Sequence, residues 1–267
     1  MTSHGVSALE RLSRSVLALG GILDGSGWAQ PSACPGWSNH DLLVHLVCTL
    51  REIADPASLP APFPGSIERG NDVAVAAFRS EQPGHTLENY ARLLPPALDA
   101  LAEMQKEPAA SGVVDFDDAG LYPAHLIADS LVFDHYCHLR HDLAAPRGTV
   151  EALEVTADET VMSSSLTWLL AGLPQMSPAR LAASLTRPVV LSLSGPGGGS
   201  WSLVPATAGQ RISVEEGASS ASEARITASA DSFHLWGTHR QSWREADLDI
   251  RGDERLAADV LDALHVF

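Results

Sequence analysis

Phe133-Asp134-His135-Tyr136-Cys137-His138-Leu139-Arg140-His141-Asp142 is the stretch on which the reading of this chain turns. Asp134 and His138 are four residues apart and His138 and His141 three, so on a helix all three project from one stripe. His135 falls off that stripe. Asp142, one turn beyond His138, competes with Asp134 for the role of carboxylate donor. A further donor, His45, stands in a separate segment among Leu42, Leu43, Leu46 and Val47. Such an apolar surround predicts a buried helix. Two helices packed side by side would bring these nitrogens and oxygens round one divalent ion, as helical bundles do. A metal at the stripe could take two of Asp134, His138 and His141, with His45 the third donor from its own helix. Three protein ligands leave a coordination position open, the arrangement of a catalytic metal site.

The pattern outward from this stretch supports a bundle. Leu9, Leu12, Val16, Leu19 and Leu23 recur at three- and four-residue intervals and predict an amphipathic helix over about 6–23. Gly25-Ser26-Gly27 breaks it, and Trp28 to Trp37 reads as a loop. Ser38 followed by Asp41 predicts a capped helix to about Ile53, the one that carries His45. A proline-rich connection precedes helices over about 66–79 and 86–105, the second expected to kink or split at Pro95-Pro96. After an acidic turn at Asp115–Gly120, Pro123 opens a last long helix to about Leu143.

A second region follows residue 150, and from Arg187 its period changes from helical to alternating. A helix around Leu166–Leu170 is expected to close at Gly172 and Pro174. Val189, Leu191 and Leu193 then alternate with polar neighbours. Gly195–Gly199 lacks the lysine and following helix of a phosphate loop, and so reads as the turn of a hairpin completed by Trp201–Val204. Further strands are expected at 211–214, 224–228 and 248–250, with helices at 231–239 and 254–264. The predicted architecture is a helical bundle over 1–150 and a smaller α+β domain over 151–267.

Composition excludes some functions. The 267 residues carry 33 Asp and Glu against 17 Lys and Arg, a formal charge of −16. Such a surface repels phosphate backbones, so no nucleic-acid partner is expected. No apolar run reaches the roughly 18 residues that span a bilayer, and the N-terminus lacks the regions of a signal peptide, so no membrane association and a cytoplasmic location are expected. Cys34, Cys48 and Cys137 form no framework or Cys-x-x-Cys pair, and read as reduced thiols. Cys34 reads as a structural residue of its loop rather than a nucleophile. A single lysine among arginines, with abundant alanine, hints at a GC-rich bacterium.

The stretch Trp28-Ala29-Gln30-Pro31-Ser32-Ala33-Cys34-Pro35-Gly36-Trp37-Ser38-Asn39-His40-Asp41-Leu42-Leu43-Val44-His45-Leu46 resembles the opening motif of the mycothiol-dependent maleylpyruvate isomerase family, a branch of the DinB-like four-helix metalloproteins. In that family a Cys-Pro-Gly-Trp loop leads into a helix whose histidine binds metal, here His45. A later helix carries a carboxylate and a histidine four residues apart, which Asp134 and His138 match, with aspartate where glutamate is usual. That shorter arm requires its helix to stand closer to the ion. The C-terminal half resembles the family's second domain, similar to sterol-carrier folds, through Ala224–Thr227, Phe233–Arg240 and Leu248–Asp253.

The resemblance implies a DinB-like four-helix bundle followed by a sterol-carrier-like domain, a site at their junction, zinc as metal, mycothiol as cosubstrate, and a small-molecule electrophile as substrate. Arg240 falls where the family places an arginine able to bind a substrate carboxylate, and is the candidate catalytic residue. The expected activity is that of an isomerase or a thiol S-transferase, and an actinobacterial origin is expected because mycothiol is a thiol of actinobacteria. Two rivals are a non-catalytic small-ligand binding protein on the same scaffold and a thiol-independent, metal-dependent biosynthetic enzyme. The sequence leaves the oligomeric state open.

Overall fold

The computed structural model describes residues 4–61, 63–176, 178–206 and 211–266. The chain divides into two compact units, Met1–Ala157 and Asp158–Phe267. The first holds α1 (His4–Ile22), a short α2 (Gly25–Trp28), α3 (Asn39–Ala54), α4 (Ile67–Phe78), α5 (Pro83–Met104), a hairpin of β1 (Val113–Asp115) and β2 (Leu121–Pro123), and α6 (Ile127–Cys137). Helices α1, α3, α5 and α6 pack on one another as a four-helix bundle. Their inward stripes make its core: Leu9, Leu12, Val16 and Leu19; Leu42, Leu43, Leu46 and Leu50; Tyr90, Leu93, Ala97 and Leu101; Val132 and Tyr136.

Two expectations for the bundle need correction. Helix α5 is continuous across Pro95 and Pro96. Both prolines and Ala91 and Arg92, whose carbonyls lose their helical N–H donors, lie on the outer side of the helix, so water takes over those acceptors. The last bundle helix is not a single α-helix from Pro123. A 3-10 turn (Ala124–Leu126) leads into α6, and His138–Leu143 winds as a π-turn closed by Ala144 N donating to Leu139 O at 3.0 Å. Residues 148–150 pack tightly on that turn. Val150 N donates to Leu143 O at 3.0 Å, and a Cβ at Gly148 would lie 2.1 Å from the same oxygen and 2.6 Å from that of Asp142.

The second unit holds α7 (Glu159–Met176), α8 (Pro178–Ser184), β3 (Val189–Ser194), β4 (Gly199–Val204), β5 (Ser213–Glu216), β6 (Ala224–Ser229), α9 (Ala230–Gly237), β7 (Leu248–Gly252) and α10 (Glu254–Ala263). Helix α7 runs through Gly172 and Pro174, where the sequence suggests an end. The five strands form one sheet in the order β5-β4-β3-β6-β7, antiparallel except for β3 beside β6. Val189, Leu191, Leu193, Ala224, Ile226 and Ala228 alternate inward, as a half-buried sheet requires, and helices α7, α9 and α10 pack on the sheet. The β3–β4 turn bears glycines with positive φ at 195 and 197. A Cβ at Gly197 would stand 2.6 Å from the Met162 carbonyl carbon, so this turn can approach α7 only as glycine. Among the described residues, no helix is long and apolar enough to cross a membrane.

Candidate metal centre

The site begins at the loop before α3. Ser38 caps that helix by accepting from Asp41 N at 3.1 Å, while Asp41 Oδ2 accepts from Ser38 N at 3.0 Å, a reciprocal capping box. The Cys-Pro-Gly-Trp loop folds back on itself through Ser32 Oγ, which donates to Trp37 O at 2.8 Å, and through the Pro31–Ser38 bridge. Ala33 N donates to Asp142 O at 2.9 Å, which ties the loop to the π-turn. Trp28 is buried and packs edge-on against His40, pinning the loop to the bundle. Trp37 is half-buried. Its indole N–H donates to Asp72 at 3.0 Å, and its ring lies 5.1 Å from that of His45 and 6.2 Å from that of His138.

His45, Asp134 and His138 converge, each offering a ligand atom within 4.8 Å of the others. Asp134 Oδ1 lies 3.0 Å from His45 Nε2 and 3.4 Å from His138 Nε2. Helix α3 brings the first and α6 the second, while the third opens the π-turn. The side chains are 3%, 25% and 11% exposed, so all three are sheltered and Asp134 is the most open of them.

The π-turn settles what the other residues do. A turn closed by i→i+5 bonds holds more than four residues, so the residue four positions on comes back under His138 and the one three positions on swings away. Asp142, 2% exposed, accordingly accepts from His138 Nδ1–H at 2.8 Å. It stands behind a donor and does not compete with Asp134. His141 is buried edge-on to Tyr136, ring centroids 5.6 Å apart, and is not brought into the three-residue group. His135 points into the core, where Nδ1–H donates to Leu131 O and Nε2 pairs with the Tyr90 hydroxyl.

The donor chemistry fits a cation. His138 is a carboxylate-backed imidazole whose Nε2 faces the centre, the usual arrangement of a metal-binding histidine. In its absence two imidazoles crowd one carboxylate oxygen, while the other oxygen of Asp134 and Nδ1 of His45 are buried without a hydrogen bond. Burial alone would lower the His138 imidazolium, yet Asp134, with help from Asp142, outweighs it and holds the group up at about 9. Burial would raise the Asp134 carboxyl, but His45 and His138 hold it well below the usual range. These opposed shifts mark a site that favours positive charge beside Asp134.

One residue escapes a reading by pairwise spacing. Glu52 lies seven positions beyond His45, on the same α3 stripe about 10 Å further along the axis. Its side chain reaches solvent, but surrounding protein, and then the charge of Asp134, push its carboxyl up to about 7. Arg240 belongs to the second unit, half-buried in the turn after α9.

A four-helix bundle with a compact histidine–aspartate cluster, followed by a mixed sheet and helices, is the class of protein that this fold and site define. The family model described as the mycothiol maleylpyruvate isomerase N-terminal domain matches residues 9–162, more than half of the chain, and the chain belongs to that family. Among solved structures it is similar to the crystal structure of the mycothiol-dependent maleylpyruvate isomerase, with a TM-score of 0.55, 15% identity, and 94% of this chain and 93% of that one covered. A histidine-to-alanine mutant of that enzyme matches at a TM-score of 0.53 and 15% identity, covering 91% of this chain and 93% of its own. No curated protein matches by sequence. The bundle followed by a sheet-containing domain is thus the maleylpyruvate isomerase fold.

Proposed function

We propose that this protein is a metal- and mycothiol-dependent enzyme acting on a small electrophile, most simply as an isomerase. The observation that carries the reading is the convergence of His45, Asp134 and His138, with Asp142 behind His138, in a family named for mycothiol chemistry. His45 Nε2, a carboxylate oxygen of Asp134 and His138 Nε2 would hold the ion, with zinc suited to this nitrogen and oxygen set. A bound zinc would lower the pKa of a coordinated thiol, so that mycothiol meets its substrate as the more nucleophilic thiolate.

The chain's own groups do the rest. Asp142 fixes the His138 tautomer, so that Nε2 presents its lone pair. Trp37 covers the two imidazoles with an apolar ring and limits water round them. Asp134 neutralises part of the ion's charge. Arg240 supplies a planar guanidinium suited to a substrate carboxylate. In an isomerase the thiol would add its sulfur and a proton across the double bond, the resulting single bond would rotate, and loss of both would restore the alkene; in an S-transferase the sulfur would stay on the product.

The test is metal analysis and turnover with mycothiol and maleylpyruvate, for the zinc-loaded protein and for His45→Ala. The expected result is one zinc per chain and thiol-dependent isomerisation, both lost on substitution. Sulfur retained in the product would assign a transferase. Conversion without thiol, or equally low zinc in both proteins with tight uptake of an apolar ligand, would overturn the proposal in favour of a thiol-independent enzyme or a binding protein.

A further inference from the structure

Helix α3 carries a second ionisable group on the stripe of His45. Glu52 lies seven positions on, two turns that return it to within about 20° of the same direction and about 10 Å further along the axis. Between them stand Cys48, packed with Val44 and Val75, and Thr49, whose hydroxyl donates to Leu46 O at 2.9 Å. Arg51, the neighbour of Glu52, turns another way, with its guanidinium 4.2 Å over the Phe78 ring and Nη1 donating to Ser58. Among the described residues Glu52 has neither a hydrogen bond nor an ion pair. Its side chain is exposed, yet enough protein stands round it to disfavour the charged carboxylate, and Asp134 adds to that effect. Exposure together with enclosure describes the wall of a recess, and the influence of Asp134 sets that wall beside the metal centre. Other groups there that could carry a proton are engaged. Asp142 accepts from His138, His135 is spent on Leu131 O and the Tyr90 hydroxyl, and Asp72 accepts from the Trp37 indole.

We propose that Glu52 is the general acid and base of the isomerisation, acting on the alkene carbon next to the one that the thiol attacks. The inference rests on the thiol-dependent reading above, and it specifies the substrate class as an alkene conjugated to a carbonyl. As the mycothiol sulfur bonds to one alkene carbon, the π pair moves to the neighbouring carbon and takes the proton of the Glu52 carboxyl, which becomes carboxylate. Rotation about the new single bond follows. Glu52 then removes a proton from that same carbon, the C–H pair restores the double bond, and the sulfur leaves with the electrons of the C–S bond. The carboxyl ends the cycle protonated, as it began, and no oxidant or reductant is consumed. A carboxyl pushed up to about 7 holds both forms at neutral pH, as a group that gives and then takes a proton requires. Enclosure by protein is the larger cause of that value and does not depend on the charge at Asp134. The gap of about 10 Å along α3 leaves the thiol and a short conjugated chain room to lie between the ligands and this carboxyl.

The zinc-loaded full chain and its Glu52→Gln variant, compared in two reactions of mycothiol, test this. One is isomerisation of maleylpyruvate. The other is alkylation of the thiol by iodoacetamide, which displaces iodide and puts no proton on carbon. Acid–base groups contribute about 10²–10⁴-fold, so Glu52→Gln should lower kcat for isomerisation at least a hundredfold. Its zinc content and its alkylation rate should stay within twofold of the parent, which a merely structural role would not allow. In D2O the parent should leave deuterium on the alkene carbon of its product. A smaller loss of kcat, a loss matched by a fall in zinc content or alkylation, or product free of deuterium overturns the proposal. A parent that neither isomerises maleylpyruvate nor speeds the alkylation of mycothiol would instead overturn the thiol-dependent reading, and this inference with it.

Discussion

Replacing Asp142 by asparagine probes the bundle site without removing a ligand. The carboxylate is 2% exposed and accepts from His138 Nδ1 at 2.8 Å. Asparagine has the same size and can still accept that hydrogen bond, so the ring should keep its place while losing the charge that makes Nε2 a stronger donor. Loss of such a partner weakens metal binding about 10–100-fold, or about 1.4–2.7 kcal/mol. Competition with a chromophoric zinc chelator reads this directly. A second readout separates polarisation from mere packing. In the metal-free protein burial disfavours the His138 cation, but Asp134 and then Asp142 outweigh it and keep the proton up to about 9, so zinc must displace a proton and binds more tightly as pH rises towards that value. With Asp142 neutralised the proton leaves more easily, and that rise should level off at lower pH. Zinc affinity within twofold of the parent, with the same pH profile and an intact fold, would refute the role given to Asp142.

Gly148→Ala, at a residue that offers no ligand atom, should force its Cβ against the Leu143 and Asp142 carbonyls, costing about 1–3 kcal/mol by denaturant melting and weakening zinc binding through the displaced π-turn. Cys48, whose thiol burial pushes up to about 12, should resist alkylation by iodoacetamide at pH 8 in the folded protein and react once it is unfolded. His135 is fully buried and held down to about 4, chiefly by burial. Its depressed value favours the fold above the unfolded value near 6.5. The native state should therefore lose up to about 3 kcal/mol as pH falls from about 6.5 to 4, and a His135→Gln variant should show a shallower acid limb.

Much of the bundle is legible in the sequence because its helices carry their own punctuation. Ser38 and Asp41 mark the start of α3, and the Leu9–Leu19 stripe marks α1. The hairpin at 189–204 is legible for the same reason, strict alternation broken by glycines. Pro95-Pro96 misleads because a proline's effect depends on where the orphaned carbonyls face, and exposure is a tertiary property. His45, Asp134 and His138 can be picked out because α-helical spacing describes them. The parts of Asp142 and His141 could not be, since a local change in winding redistributes residues round the axis without leaving a mark in composition. Glu52 shows the same kind of gap. Its distance from His45 is an ordinary helical repeat, and only packing makes that carboxyl unusual.

The wide turn at His138–Leu143 makes chain length there as consequential as residue identity. Excising one residue, Leu139 for example, would let the segment rewind at ordinary pitch. The aspartate would then follow the histidine by three places and lose its position behind the imidazole, although every chemical group of the centre would still be present. Single-residue insertions and deletions at this point would thus offer a route by which descendants of one scaffold retune a metal without exchanging a ligand.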